Sequence, residues 1–225
     1  MKRQRLVRPS LARGAFLILA SGALSTGAAP AAAHPHVWVT VETEVLYDDT
    51  GAMTGLRHRW SFDEGYAALA TQGLDADGNG KLERAELQSL AQENAEALAD
   101  YDYFTDARIE GEAVKLAGPV DYFAEMSADG VLSLRFTLPL AAPVNTGSLQ
   151  FTFSVADPTF FIAFSFAEKD PVRLASNAPK GCSAGLATAP VSAEEQALGD
   201  AFAADGSSVS LATVQSGQVI VRCAS

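Results

Sequence analysis

The chain has 225 residues, 27 of them Asp or Glu against 16 Lys or Arg, a net charge of −11. That balance argues against nucleic acid and anionic membrane surfaces, whose binding draws on clustered basic side chains, and favours cations as partners. The length suits one domain, and no internal repeat or low-complexity tract breaks it after the N-terminal segment.

Residues 1–33 have the pattern of a secretory signal. Lys2, Arg3, Arg5, Arg8 and Arg13 make a positive start, Gly14 to Leu24 a short apolar run, and Ala31-Ala32-Ala33 a small-residue cleavage site. The apolar run is too short to span a bilayer as a helix. The expected location is therefore the bacterial periplasm, with no stable membrane insertion after cleavage. Removal of this segment takes away basic residues only, so the remaining domain, 34–225, is more acidic than the whole.

Cleavage after Ala33 would leave His34-Pro35-His36 at a new N-terminus. An α-amine beside an imidazole chelates Ni²⁺, Cu²⁺ or Zn²⁺. Pro35 has no N–H to lose, which blocks square-planar binding through successive backbone amides. The chelate then needs ligands from elsewhere. Val37 to Val45 alternates apolar and polar residues, as a half-buried strand does. Asp48-Asp49-Thr50-Gly51 reads as a turn, and Leu56, His58, Trp60 and Phe62 share one face of a second strand. A two-residue loop at Asp49-Thr50 sets Val41 opposite His58 and Val39 opposite Trp60, and brings His36 to Asp63. His58 would then lie about 16 Å from His36 along the strand, out of reach of a shared metal. His34, His36 and Asp63 are thus the expected transition-metal ligands. His58 is expected as a hydrogen-bonded core residue, with Trp38 and Trp60 as packing residues.

Asp75 to Glu86 (DADGNGKLERAE) fills a twelve-residue calcium-loop pattern. Asp75, Asp77 and Asn79 stand at positions 1, 3 and 5, and Gly80 at position 6, where the turn is sharp. Lys81 at position 7 offers its backbone carbonyl, Glu83 stands at position 9, and Glu86 at position 12 can give both oxygens. Ca²⁺ is a hard cation that takes six to eight oxygens, and this spacing supplies them. The plainer alternative is an Asp/Gly/Asn-rich surface turn. Gly65 to Leu74, with Tyr66, Leu69 and Ala70 on one face, reads as an entering helix. Leu87, Leu90, Ala91, Asn94, Leu98 and Tyr101 mark an exiting one. This EF-hand-like unit, at about 64–103, interrupts a β-rich chain. A lone loop more often fixes structure than switches it.

Strands resume at 107–116 with a Glu110-Gly111 turn, at 120–126 and 131–138 around Asp129-Gly130, and at 149–155 and 159–166 around Asp157-Pro158. Phe160, Phe161, Phe164 and Phe166 are expected to build the core. Ser192 to Phe202 reads as a capped helix, and 208–214 and 219–223 as closing strands. Cys182 and Cys223 read as a disulfide in an oxidising compartment. The fold class expected is α+β, mainly antiparallel sandwich-like sheets with the helix–calcium loop–helix unit inserted.

His34-Pro35-His36-Val-Trp-Val, Arg59-Trp-Ser-Phe-Asp-Glu64, the calcium-type loop, Asp157-Pro-Thr-Phe-Phe161 and the two cysteines together resemble an uncharacterised family of bacterial exported proteins, a "domain of unknown function" group. Its members are commonly labelled the periplasmic component of an ABC-type transport system and are often encoded beside nickel/cobalt permeases. The resemblance spans nearly all of 34–225. It implies a periplasmic accessory or binding protein for nickel, cobalt or zinc transport, partnered by an inner-membrane metal permease, and no known reaction. The chain lacks the alternating βαβ pattern of two-lobed solute-binding proteins. The expectation is a non-enzymatic calcium-binding protein with that transport role. Two alternatives stand beside it: a calcium-stabilised structural or interaction module, and a copper-dependent oxidative enzyme using the N-terminal histidine.

Overall fold

The computed structural model describes residues 36–147, 149–159, 161–187 and 217–224. The expected export signal, His34, Phe160, the helix over 192–202 and the strand over 208–214 lie outside the described residues.

In chain order, β1 (Val37–Tyr47) and β2 (Met53–Phe62) form a hairpin, and α1 (Glu64–Ala70) and α2 (Gln88–Ala97) flank the acidic loop. A 3-10 segment (Leu98–Phe104) leads to β3 (Thr105–Ile109) and β4 (Glu112–Ala113). Then come β5 (Val120–Met126), β6 (Leu132–Val144), β7 (Phe151–Val155), β8 (Ile162–Phe166), β9 (Val172–Leu174), β10 (Cys182–Ala187) and β11 (Gln218–Cys223). The first sheet has the order β5-β6-β2-β1-β8, with β9 also on β1, and the second β10-β11-β7-β3-β4. The fold is β-rich α+β with sheets that are antiparallel except where β8 and β9 join β1 in parallel.

The period-two pattern of β1 has the expected consequence. Val39, Val41, Thr43 and Val45 are buried and face one side, while Glu42 and Glu44 turn away from it. The buried face meets the second sheet through aromatic rings. His58 lies 6.2 Å from Phe153, ring to ring, and Phe153 lies 6.3 Å from Phe166. Trp60 packs edge-on against Phe136 and Phe164, each at 4.9 Å. Each fully buried Val, Leu or Phe contributes about 1.5–3 kcal/mol of transfer free energy, so this interior is the main stabilising term. The outer face of the first sheet carries cross-strand pairs: Arg57 on Glu44 at 2.8 Å, Arg59 on Glu42 at 3.3 Å and Arg135 on Glu125 at 2.6 Å. These are partly exposed and individually small contributors.

Several expectations need correction. The β1–β2 register is shifted by two residues from the expected one: Trp60 stands opposite Val41 and His58 opposite Thr43. The connection is longer than two residues because the Asp48 carboxylate accepts from the backbone N–H groups of Thr50 and Ala52. A bulge at Leu46/Tyr47 adds a further offset. Gly51 supplies the left-handed turn, φ 82°. Phe161 is 47% exposed rather than core, although Phe164 is buried. Leu69, expected on the packed face of its helix, is 74% exposed; Ala67 is buried instead. The short strands β9 and β10 carry no clear alternating apolar pattern, and sequence reading passed over them. Cys182 and Cys223 sit directly opposite one another on β10 and β11 and are disulfide-bonded.

Candidate functional site

The acidic loop is held by its own side chains. The Asp75 carboxylate accepts from the N–H of Asn79 at 3.1 Å and of Gly80 at 2.9 Å, which folds the first half back on itself. The Asp77 carboxylate accepts from Asn79 N–H at 3.0 Å. Gly78 and Gly80, φ 72° and 78°, take the left-handed conformation that lets those amides turn inward. Glu86 closes the loop from the other end: its carboxylate accepts from Ala76 N–H at 2.8 Å and Glu83 N–H at 3.0 Å. Hydrogen bonds from the Glu83 and Ala76 backbones hold the Glu86 carboxyl below the usual range, so it is an anion at neutral pH.

The result is convergence. Asp75, Asp77 and Glu86 each present an oxygen, and these oxygens lie within 4.8 Å of one another. The side-chain amide of Asn79 donates to Asp77 at 2.8 Å and to Glu83 at 3.3 Å, which links Glu83 to the Asp77 side of the loop. The backbone N–H of Lys81 donates to the Asn79 side-chain oxygen at 2.7 Å. Three carboxylates this close repel one another, and a cation is the group whose charge and oxygen preference answer that repulsion.

The loop is anchored on both sides. Leu82, half-buried, packs against the core, and Leu87, fully buried, opens the turn into α2. Arg84 reaches β5, where it pairs with Glu125 at 3.3 Å and lies 3.7 Å over the Phe123 ring. Sequence reading assigned Leu82 and Arg84 no role; an apolar residue between acidic ligands was the available signal for Leu82. Tyr66 of α1 donates its hydroxyl to Asn94 of α2 at 3.2 Å, tying the two helices across the loop they flank.

The structure treats the histidine-side residues differently. Asp63 is the N-cap of α1: one oxygen accepts from Tyr66 N–H at 2.9 Å and the other from Trp38 N–H at 2.8 Å. Asp63 N–H in turn donates to the Trp38 carbonyl at 3.0 Å, so Trp38, not His36, is the neighbour of Asp63. His36 donates its backbone N–H to Phe161 at 2.9 Å, and its ring lies 4.9 Å from the Phe161 ring. His58 is buried, with Nδ1 at 2.9 Å from the Thr43 hydroxyl. Its place opposite Thr43 puts it about 23 Å along the strand from His36. His58 therefore cannot serve as a second imidazole beside His36. Among the described residues, Asp75, Asp77 and Glu86 form the cluster of acidic, histidine or cysteine side chains close enough to hold a metal.

Fold and loop together define a class: a β-rich α+β protein whose two sheets carry a helical insertion built around converging carboxylates. More narrowly, the chain belongs to the family described as protein of unknown function (DUF1007), whose model matches residues 19–223. An uncharacterized 15.5 kDa protein in the trpE 3' region of Spirochaeta aurantia is 31% identical over 100 residues, 44% of this chain and 70% of that protein. An uncharacterized protein of Haemophilus influenzae is 25% identical over 142 residues, 62% of this chain and 66% of that protein.

Proposed function

We propose that this is a periplasmic calcium-binding protein whose loop Asp75–Glu86 takes one Ca²⁺ in the manner of an EF-hand. The observation that carries the reading is the meeting of Asp75, Asp77 and Glu86 oxygens within 4.8 Å, in a loop whose remaining ligand positions are also filled by oxygen donors. The ion's role is structural: it neutralises the carboxylates between α1 and α2 and braces the insertion against the sheet. The export pattern of residues 1–33 and the Cys182–Cys223 disulfide support the compartment.

On this reading the protein serves as an accessory or binding protein for Ni²⁺, Co²⁺ or Zn²⁺ transport, handing ions to an inner-membrane permease through His34 and His36. That role draws its support from the histidine terminus and the family resemblance. A second reading, a calcium-stabilised structural or interaction module with no transition-metal role, is favoured by the engagement of both Asp63 oxygens in backbone hydrogen bonds. Calorimetric titration separates the two. The transport reading predicts saturable Ni²⁺, Co²⁺ or Zn²⁺ binding that His34→Ala/His36→Ala abolishes; the module reading predicts none. Both predict stoichiometric calcium binding, and its absence would sink both.

A further inference from the structure

Between the buried face of the first sheet and the helical insertion lies a cavity of about 530 Å³. Val39 and Trp60 line it from the sheet, Leu98 and Phe104 from the insertion, and Asp157 and Phe161 from the turn before β8. We propose that this cavity binds a neutral, largely apolar small molecule. The inference does not rest on the calcium reading.

Three observations carry it. The volume falls within the range of small-molecule sites, and the walls are mostly aromatic and aliphatic with few polar groups, as such sites are. Asp102, Tyr103 and Phe104 are consecutive non-glycine residues with φ of 48°, 57° and 49°. This costly conformation carries Phe104 to the cavity wall, where its ring lies 6.3 Å from that of Trp60. Asp157 sets the charge preference. Burial opposes its ionisation, but hydrogen bonds from Ile162 N–H and from Thr159 outweigh that and hold it anionic. An anionic ligand would meet that charge. A cation gains little, since both carboxylate oxygens are already engaged.

The test uses two naphthalene probes of similar size, neutral 1-N-phenylnaphthylamine and anionic 1-anilinonaphthalene-8-sulfonate. Each is titrated into the purified full chain, its N-terminus defined by mass spectrometry, with fluorescence read at fixed calcium. The expected result is saturable 1:1 binding of the neutral probe, at least about tenfold tighter than the anionic one. Ala97 and Tyr101 line the cavity from exposed positions, so both can be changed without opening the core. Ala97→Phe, which fills the space, and Tyr101→Ala, which removes a wall, should each weaken the neutral probe while leaving the circular dichroism spectrum and melting temperature near wild type. Non-saturable binding, equal affinity for both probes, or folded variants with unchanged affinity would overturn the proposal.

Discussion

His58 makes a pH-dependent contribution to stability that can be worked from its surroundings. Its ring is 1% exposed, accepts or shares one hydrogen bond with Thr43, and is walled by Trp60, Phe136 and Phe153. Burial with no partner for a positive charge pushes its pKa down to about 3. In the unfolded chain the imidazole titrates at its ordinary value, about 6.5. The unfolded state therefore binds the proton first as pH falls. Stability is fully present above pH 6.5 and is lost progressively toward pH 3, by about 2 kcal/mol at pH 5 and nearly 5 kcal/mol in all. Urea unfolding of wild type and His58→Leu at pH 7 and pH 5 isolates the effect. At pH 7 the variant should be weaker by about 1–3 kcal/mol, since Thr43 loses its partner. At pH 5 that gap should narrow by about 2 kcal/mol, or reverse, because the variant has no imidazole to charge on unfolding. Glu125 and Asp157, both held below the usual carboxylate range, also cost stability in acid, but they are present in both proteins and cancel. An unchanged gap between the two pH values would refute the reasoning, as would a native-state NMR titration of His58 near pH 6.5.

Replacing Cys182 and Cys223 with Ser should lower stability by about 4 kcal/mol on the chain-entropy account, measured by urea unfolding, since the bridge closes a loop of 41 residues. Asp63→Ala should cost about 1–2 kcal/mol by removing the α1 cap and the tie to Trp38, whereas Asp63→Asn should recover the cap but not the tie, since its amide nitrogen cannot accept from the Trp38 N–H. Nickel titration of the Asn variant then reads Asp63 as a ligand without unfolding the helix: lost affinity supports the transition-metal site, and unchanged affinity removes Asp63 from it. Glu86→Gln should weaken calcium on the order of 100-fold, about 2.8 kcal/mol, because one change removes a charge and an oxygen donor from the closing ligand.

What the sequence made legible was what local pattern controls. Alternation in β1, the boundaries of β5, the Glu110-Gly111 and Asp129-Gly130 turns and the burial of His58 all follow from period, turn chemistry and face. The cysteine pair needed only an even count and a guess at compartment. The β1–β2 register was less accessible, because it turned on the Asp48 side chain lengthening the loop and on a bulge that adds a residue. Phe161 was misassigned because Asp157 spends both oxygens on a compact turn, so β8 begins only at Ile162 and Phe161 falls before it. β9 and β10 are short strands that depend on long-range pairing. The loop's ligand spacing was plain, but the use of Asp63 as a helix cap rather than a free carboxylate became visible only once Trp38 stood beside it. The cavity had no sequence signal, since its walls come from strands, insertion and turn far apart in the chain.

The central claim is that Asp75–Glu86 holds one calcium ion. Elemental analysis after equilibrium dialysis against millimolar calcium, with the free ion of the buffer subtracted, tests it most directly, on wild type and Glu86→Gln in parallel. The account predicts close to one calcium per wild-type chain and far less in the variant. A wild-type protein that returns from dialysis without calcium, or a variant that retains as much, would contradict it.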